Sequence, residues 1–185
     1  MGIAELLLII TNIILGIGLG MPLSRFSHRT IDAQKSVYHY FRLCVFIYFI
    51  ECAVVVMGMG TPVFSIPLAL VWGLSLGFWL RKRTTPEQAL KLSLLLSLYS
   101  CLPVVSFILV PIICAITGWD ILSASQGYTF GIPDFLHLPW PLNTILGFYM
   151  ALIVITLALK PLITTVTVRV LIHSYRRSME RTVAH

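Results

Sequence analysis

Five apolar runs, at approximately residues 3–22, 38–59, 63–80, 91–117 and 142–168, dominate the chain. A bilayer's hydrocarbon core, about 30 Å thick, is crossed by about 20 residues of helix, so each run meets or nearly meets the length of a transmembrane span. Runs this long and uninterrupted argue against a soluble helical core. Composition agrees, since 58% of the 185 residues are hydrophobic and 11% charged, with a mean hydropathy of +0.93. A soluble domain holds about 45–50% apolar residues. The expected fold is all-α, a polytopic membrane helical bundle of about five transmembrane helices in a single domain over residues 1–185. Only GMGTP joins the second and third runs, which makes them an antiparallel hairpin. The opening MGIAELLLII carries an acid where a cleavable leader has basic residues, so the first run is expected to stay as a span.

Orientation follows from the basic residues, because Lys and Arg near span ends are held on the cytoplasmic side. Arg25, Arg29, Lys35 and Arg42 lie between the first two runs or open the second; Arg81, Lys82, Arg83 and Lys91 lie between the third and fourth; Arg169, Arg176, Arg177 and Arg181 follow the fifth. The other face holds the N-terminus with Glu5, the GMGTP turn and an outer loop at 118–141 whose only charges are Asp120 and Asp134. The prediction is an N-terminus outside and a basic tail, 169–185, in the cytoplasm of a cell with this protein in its inner (plasma) membrane. This topology accounts for most of the net charge of +6 and the pI near 9.4. The same basic face suits an acidic cytoplasmic protein or anionic lipid, each Lys or Arg adding about 1 kcal/mol near an anionic leaflet. Nothing resembling a base-stacking or groove-reading motif is present, so nucleic acid is not an expected partner.

One acid interrupts the second run. Glu51, in FIYFIECAVVVMG, lies nine residues from Arg42, roughly 14 Å along a helix and close to mid-membrane. A lone carboxylate there must be paired, protonated or facing water. Lys160 is the candidate partner, and its depth depends on where the fifth helix enters the membrane. Entry at Leu142 puts Lys160 about 27 Å down, where its amine snorkels to the inner headgroups. An aromatic belt at Phe148 and Tyr149 puts it about 18 Å from the outside, level with Glu51. The sequence leaves both registers open.

Helices in lipid associate through close backbone approach and polar contacts, so small residues mark candidate seams. Gly16 and Gly20, with Gly18 between them, form one pair; Gly73 and Gly77 form another; Ser93, Ser97 and Ser100 recur on one helical face. These seams serve packing within one subunit or between subunits. The fourth helix has a marked start in TTPEQALK, where Thr85 caps, Pro86 fits the first turn and Gln88 completes a capping box. Pro103 and Pro111 further along it, and Pro67 in the third run, each remove a backbone donor and free a carbonyl.

The outer loop carries Trp119, Tyr128, Phe130, Phe135 and Trp140 among three prolines, a mixture suited to an interfacial anchor or a ligand or partner surface. Asp134 and His137 are three apart there, too few groups for a metal or acid–base site. Cys44, Cys52, Cys101 and Cys114 all fall in apolar runs without a CxxC pair, which predicts buried free thiols. No phosphate-binding loop, nucleophile elbow, HExxH helix or dinucleotide turn occurs, and no cofactor or metal is expected. The leading expectation is a non-enzymatic assembly, anchoring or sensing component that forms a homo-oligomer or belongs to a membrane complex, meets its neighbours through the glycine and serine faces and docks a cytoplasmic partner on its basic face. Envelope-stress, phage-defence and toxin-immunity components belong to this physical class. The alternative is a channel or transporter subunit with a path near Glu51 and Lys160.

Overall fold

The computed structural model describes residues 3–31, 36–59, 62–116 and 142–183. Lys35 and the outer-loop residues Trp119, Tyr128, Asp134, His137 and Trp140 lie outside them. Among the described residues the chain is helical, in the order α1 (Ile3–Ile31), α2 (Val37–Val54) prolonged by a π-type turn (Val55–Met59), α3 (Pro62–Leu80), α4 (Pro86–Ile116) and α5 (Leu142–Val183). Four helices carry stretches long and apolar enough to cross a membrane, Leu6–Ile31, Val37–Met57, Pro86–Val110 and Leu146–Glu180. These mark a membrane protein. The apolar part of α3, Ile66–Leu80, is shorter than the other four.

Helix ends follow local chemistry. The side chain of Ser36 accepts from the Tyr38 amide at 3.2 Å and so caps α2. At α4 the reciprocal box forms, with Gln88 N–H reaching Thr85 Oγ1 and Thr85 N–H reaching Gln88 Oε1, both at 3.4 Å. Two helices overrun the apolar runs that predict them. Rather than ending near residue 22, α1 continues through Pro22 to Ile31. Proline removes one ladder bond only, and Leu23 and Ile31 beyond it are buried in the main core. Ser24 and Ser27 turn their hydroxyls back onto the carbonyls of Met21 and Leu23. Likewise α5 runs past Arg169 to Val183, because Ile172 and the half-buried Tyr175 keep one face of the basic tail packed.

Side-chain pairings give the helix directions. Gly73 and Gly77 of α3, and Arg81 just after it, meet Thr167, Leu171 and Tyr175 of α5 in the same order, so these two helices are parallel. The partners of α1 run the other way: Asn12 meets Tyr48 of α2 and Ser106 of α4, while Gly20 meets Phe41 and Tyr99. α4 runs against α5 as well, Ser100 facing Lys160 and Cys101 facing Thr156. A parallel α3–α5 pair requires one intervening crossing, which α4 supplies. It packs against all four other helices and is the most buried of the long ones.

Candidate functional site: a polar layer across the bundle

The residues with chemistry gather in two linked clusters. In the first, the Lys160 ammonium on α5 lies 2.7 Å from Glu51 Oε1 on α2. It also donates to the Ser100 carbonyl of α4 at 3.0 Å. The indole Nε1–H of Trp72 on α3 donates to the same Glu51 oxygen at 2.7 Å. Four helices thus meet at one carboxylate oxygen and one amine. Glu51 and Lys160 are each 1% exposed, so neither reaches bulk solvent or headgroups within the folded chain. The helix ladder is already open beside this point, because Pro103 has no N–H to give to the Tyr99 carbonyl one position before Ser100.

The second cluster ties in α1. Asn12 Oδ1 accepts from the Tyr48 hydroxyl at 2.9 Å and the Ser106 hydroxyl at 2.8 Å, while its Nδ2 donates to the Leu8 carbonyl. Tyr99 donates to the Gly16 carbonyl at 2.7 Å, its hydroxyl admitted by the missing side chain of Gly20 one turn on. Tyr48 and Glu51 stand one turn apart on α2, so that helix bridges the clusters.

All five helices place this layer at one depth. Gly16, Glu51, Trp72, Ser100 and Lys160 each stand nine residues from a basic residue on the same helix or, for Trp72, in the turn just after it, respectively Arg25, Arg42, Arg81, Lys91 and Arg169. Nine residues rise about 14 Å, close to half a hydrocarbon core of about 30 Å. The basic residues themselves converge on one end. Tyr40 at the start of α2 lies 5.9 Å from Trp79 near the end of α3 and 6.2 Å from His28 of α1. Arg81 sits 5.0 Å from the ring of Tyr175 on α5, and Lys82 sits 6.0 Å from it. Arg25, Arg29, Arg42, Lys82, Arg83, Lys91, Arg169, Arg176 and Arg177 are exposed there, with Arg81 half-buried. Among the described residues the only carboxylate within 4 Å of a cation is Glu51, which leaves this end with uncompensated positive charge. Arg181 lies in the last turns of α5.

The small-residue seams close inside the single chain. A Cβ on Gly73 would fall 2.7 Å from Thr167 Cβ, and one on Gly77 2.5 Å from Leu171 Cδ1. Gly16 backs onto the Tyr48 ring and Gly20 onto the Tyr99 hydroxyl, each at 3.0 Å from an added Cβ. Ser93, Ser97 and Ser100 are buried, but their hydroxyls return to the carbonyls of Leu90, Leu94 and Ser97 on their own helix. They act as small residues rather than as bonds between helices. Cys44, Cys52 and Cys101 are free thiols.

Sequence reasoning named Lys160 as a candidate partner for Glu51, left the pairing open, and passed over Asn12, Tyr48, Trp72, Tyr99 and Ser106. A signal existed for each of the larger ones. An amide, an indole N–H or a phenol in the middle of an apolar run needs a partner that lipid does not provide. Compared with protein-family models, curated proteins and solved structures, the chain matches none.

Proposed function

We propose that this protein is a non-enzymatic membrane anchor or assembly component whose basic end, facing the cytoplasm from the inner membrane, receives an acidic segment of a soluble protein. The observation that supports the reading is the convergence of three basic segments, distant in sequence, on one end of a bundle whose mid-depth polar groups are bonded to each other. Such a bundle is held by contacts among α2, α3, α4 and α5 and needs no opening to do its work. It presents Lys82, Arg83, Lys91, Arg169, Arg176 and Arg177 as a fixed field of charge. Because the glycine and serine seams are filled within the chain, copies or membrane partners would meet it through other faces.

The test is isolation from native membranes in mild detergent, with mass measurement reporting copy number and companions together. A companion that is retained at low salt and lost on Lys82→Glu with Arg83→Glu supports the reading. A bare monomer, or a companion indifferent to both charge reversal and salt, overturns it. A channel or transporter is the second reading, favoured by the ion pair near mid-depth. Proton or cation flux in liposomes that Glu51→Gln abolishes would select it over the anchor.

A further inference from the structure

An apolar groove of about 400 Å³ runs between α1 and α2, walled by Ile9, Ile13 and Ile17 on one side and Val45, Phe49 and Val56 on the other. Its volume lies within the roughly 300–1,000 Å³ that ligand sites occupy. Asn12, Tyr48 and Cys52 line its floor, but the Asn12 carbonyl oxygen is already engaged by Tyr48 and Ser106. The groove therefore offers an occupant apolar contact along its length.

Its two walls end in the same chemistry. On α1 the groove ridge Ile9, Ile13, Ile17 steps by four residues, and two further steps reach Arg25. On α2 the stripe Val56, Phe49, Val45 continues at helical spacing to Arg42. Both arginines are exposed, at the basic end of the bundle. The Arg42 guanidinium carbon lies 4.5 Å from the centroid of the Tyr38 ring, over its face, and a guanidinium held on an aromatic ring still has N–H groups for an oxyanion. From Arg42 to Val56 is about 21 Å of helix, deeper than one leaflet, about half of 30 Å. A slot lined by hydrocarbon and crowned by two arginines is complementary to one molecule type, an amphiphile with an anionic head and a long tail.

We infer that the α1–α2 groove binds one anionic phospholipid, with an acyl chain along Ile9, Ile13, Ile17, Val45 and Phe49 and its phosphate between Arg25 and Arg42. Arg25 and Arg42 share the basic end with the partner surface, but the groove lies between α1 and α2 while the partner test alters Lys82 and Arg83, so the two readings fail separately. The probe is dioleoyl phosphatidylglycerol in competition with dioleoyl phosphatidylcholine, added to the full-length protein in detergent and read by native mass spectrometry. One phosphatidylglycerol is expected per chain, held roughly tenfold or more over phosphatidylcholine, the scale of two basic contacts. Arg25→Gln with Arg42→Gln changes only exposed side chains and is expected to bring the two lipids to parity. Ile13→Trp, with Phe49→Trp as a second filling variant at a residue 65% exposed, is expected to abolish retention. Arg176→Gln with Arg177→Gln leaves it unchanged. Equal retention of both lipids by the unaltered protein, undiminished preference in the arginine variant, or a lipid-free dimer overturns the assignment.

Discussion

A carboxylate and an ammonium at one point in a bundle are tolerated because each satisfies the other's charge and both are hydrogen-bonded further. Glu51 takes Trp72 as well as Lys160, and Lys160 also takes the Ser100 carbonyl. Removing one partner leaves the other buried and uncompensated, an effect of about 3–5 kcal/mol in buried pairs. Lys160→Met is therefore expected to lower the melting temperature in detergent sharply. Glu51→Leu combined with Lys160→Met, which removes both charges, is expected to restore most of the loss. Thermal unfolding followed by circular dichroism checks the order. A double variant as unstable as Lys160→Met alone would mean that packing, not charge, sets the effect. At this scale the sequence was half legible. Depth and charge made Glu51 and Lys160 mutual candidates, and the indole N–H of Trp72 signalled a need for a partner, yet nothing in the run FSIPLALVWGLSLG says that Glu51 supplies it.

Helices pack here according to where side chains are missing. Gly73 faces Thr167, whose branched Cβ is fixed to the backbone, and the Thr164 carbonyl is 3.2 Å from the position of an added Cβ. Gly77 faces Leu171, whose Cδ1 at 2.5 Å can swing away and whose Cβ, at 3.1 Å, is farther than the Thr167 Cβ is from Gly73. Gly73→Ala should accordingly cost more than Gly77→Ala, with about 1–3 kcal/mol the usual range for overpacking. Gly18 has nothing within 4 Å of an added Cβ, so Gly18→Ala should be neutral or stabilising by up to about 1 kcal/mol through helix propensity alone. Denaturation of the three variants in one detergent ranks them, and equal effects at Gly18 and Gly73 would refute the seam. The spacing of four residues in each glycine pair was readable from the sequence; the partner helix was not. Small residues set how closely a neighbour approaches without specifying which neighbour it is.

For the molecule as a whole, the mid-depth polar layer and the basic end fix a register against the bilayer. In a background without the native cysteines, Lys82→Cys and Ser174→Cys are expected to react with an impermeant maleimide only after intact cells are opened. A thiol introduced within 118–141 is expected to react from outside. Reversed labelling would place the basic end in the extracellular space and remove the surface proposed for a cytoplasmic partner. Length, hydropathy and the spacing of basic residues determined by themselves the helical class, the approximate positions of the helices and the nine-residue distance of Glu51 from Arg42, because these are quantities measured along the chain. Which face of each helix turns inward was decided only by tertiary structure. In water a buried face is betrayed by its apolar stripe, but in lipid both faces are apolar and the stripe vanishes. Only the meeting of Asn12 with Tyr48 and Ser106, of Gly73 with Thr167, and of Glu51 with Lys160 and Trp72 sets the rotation of each helix.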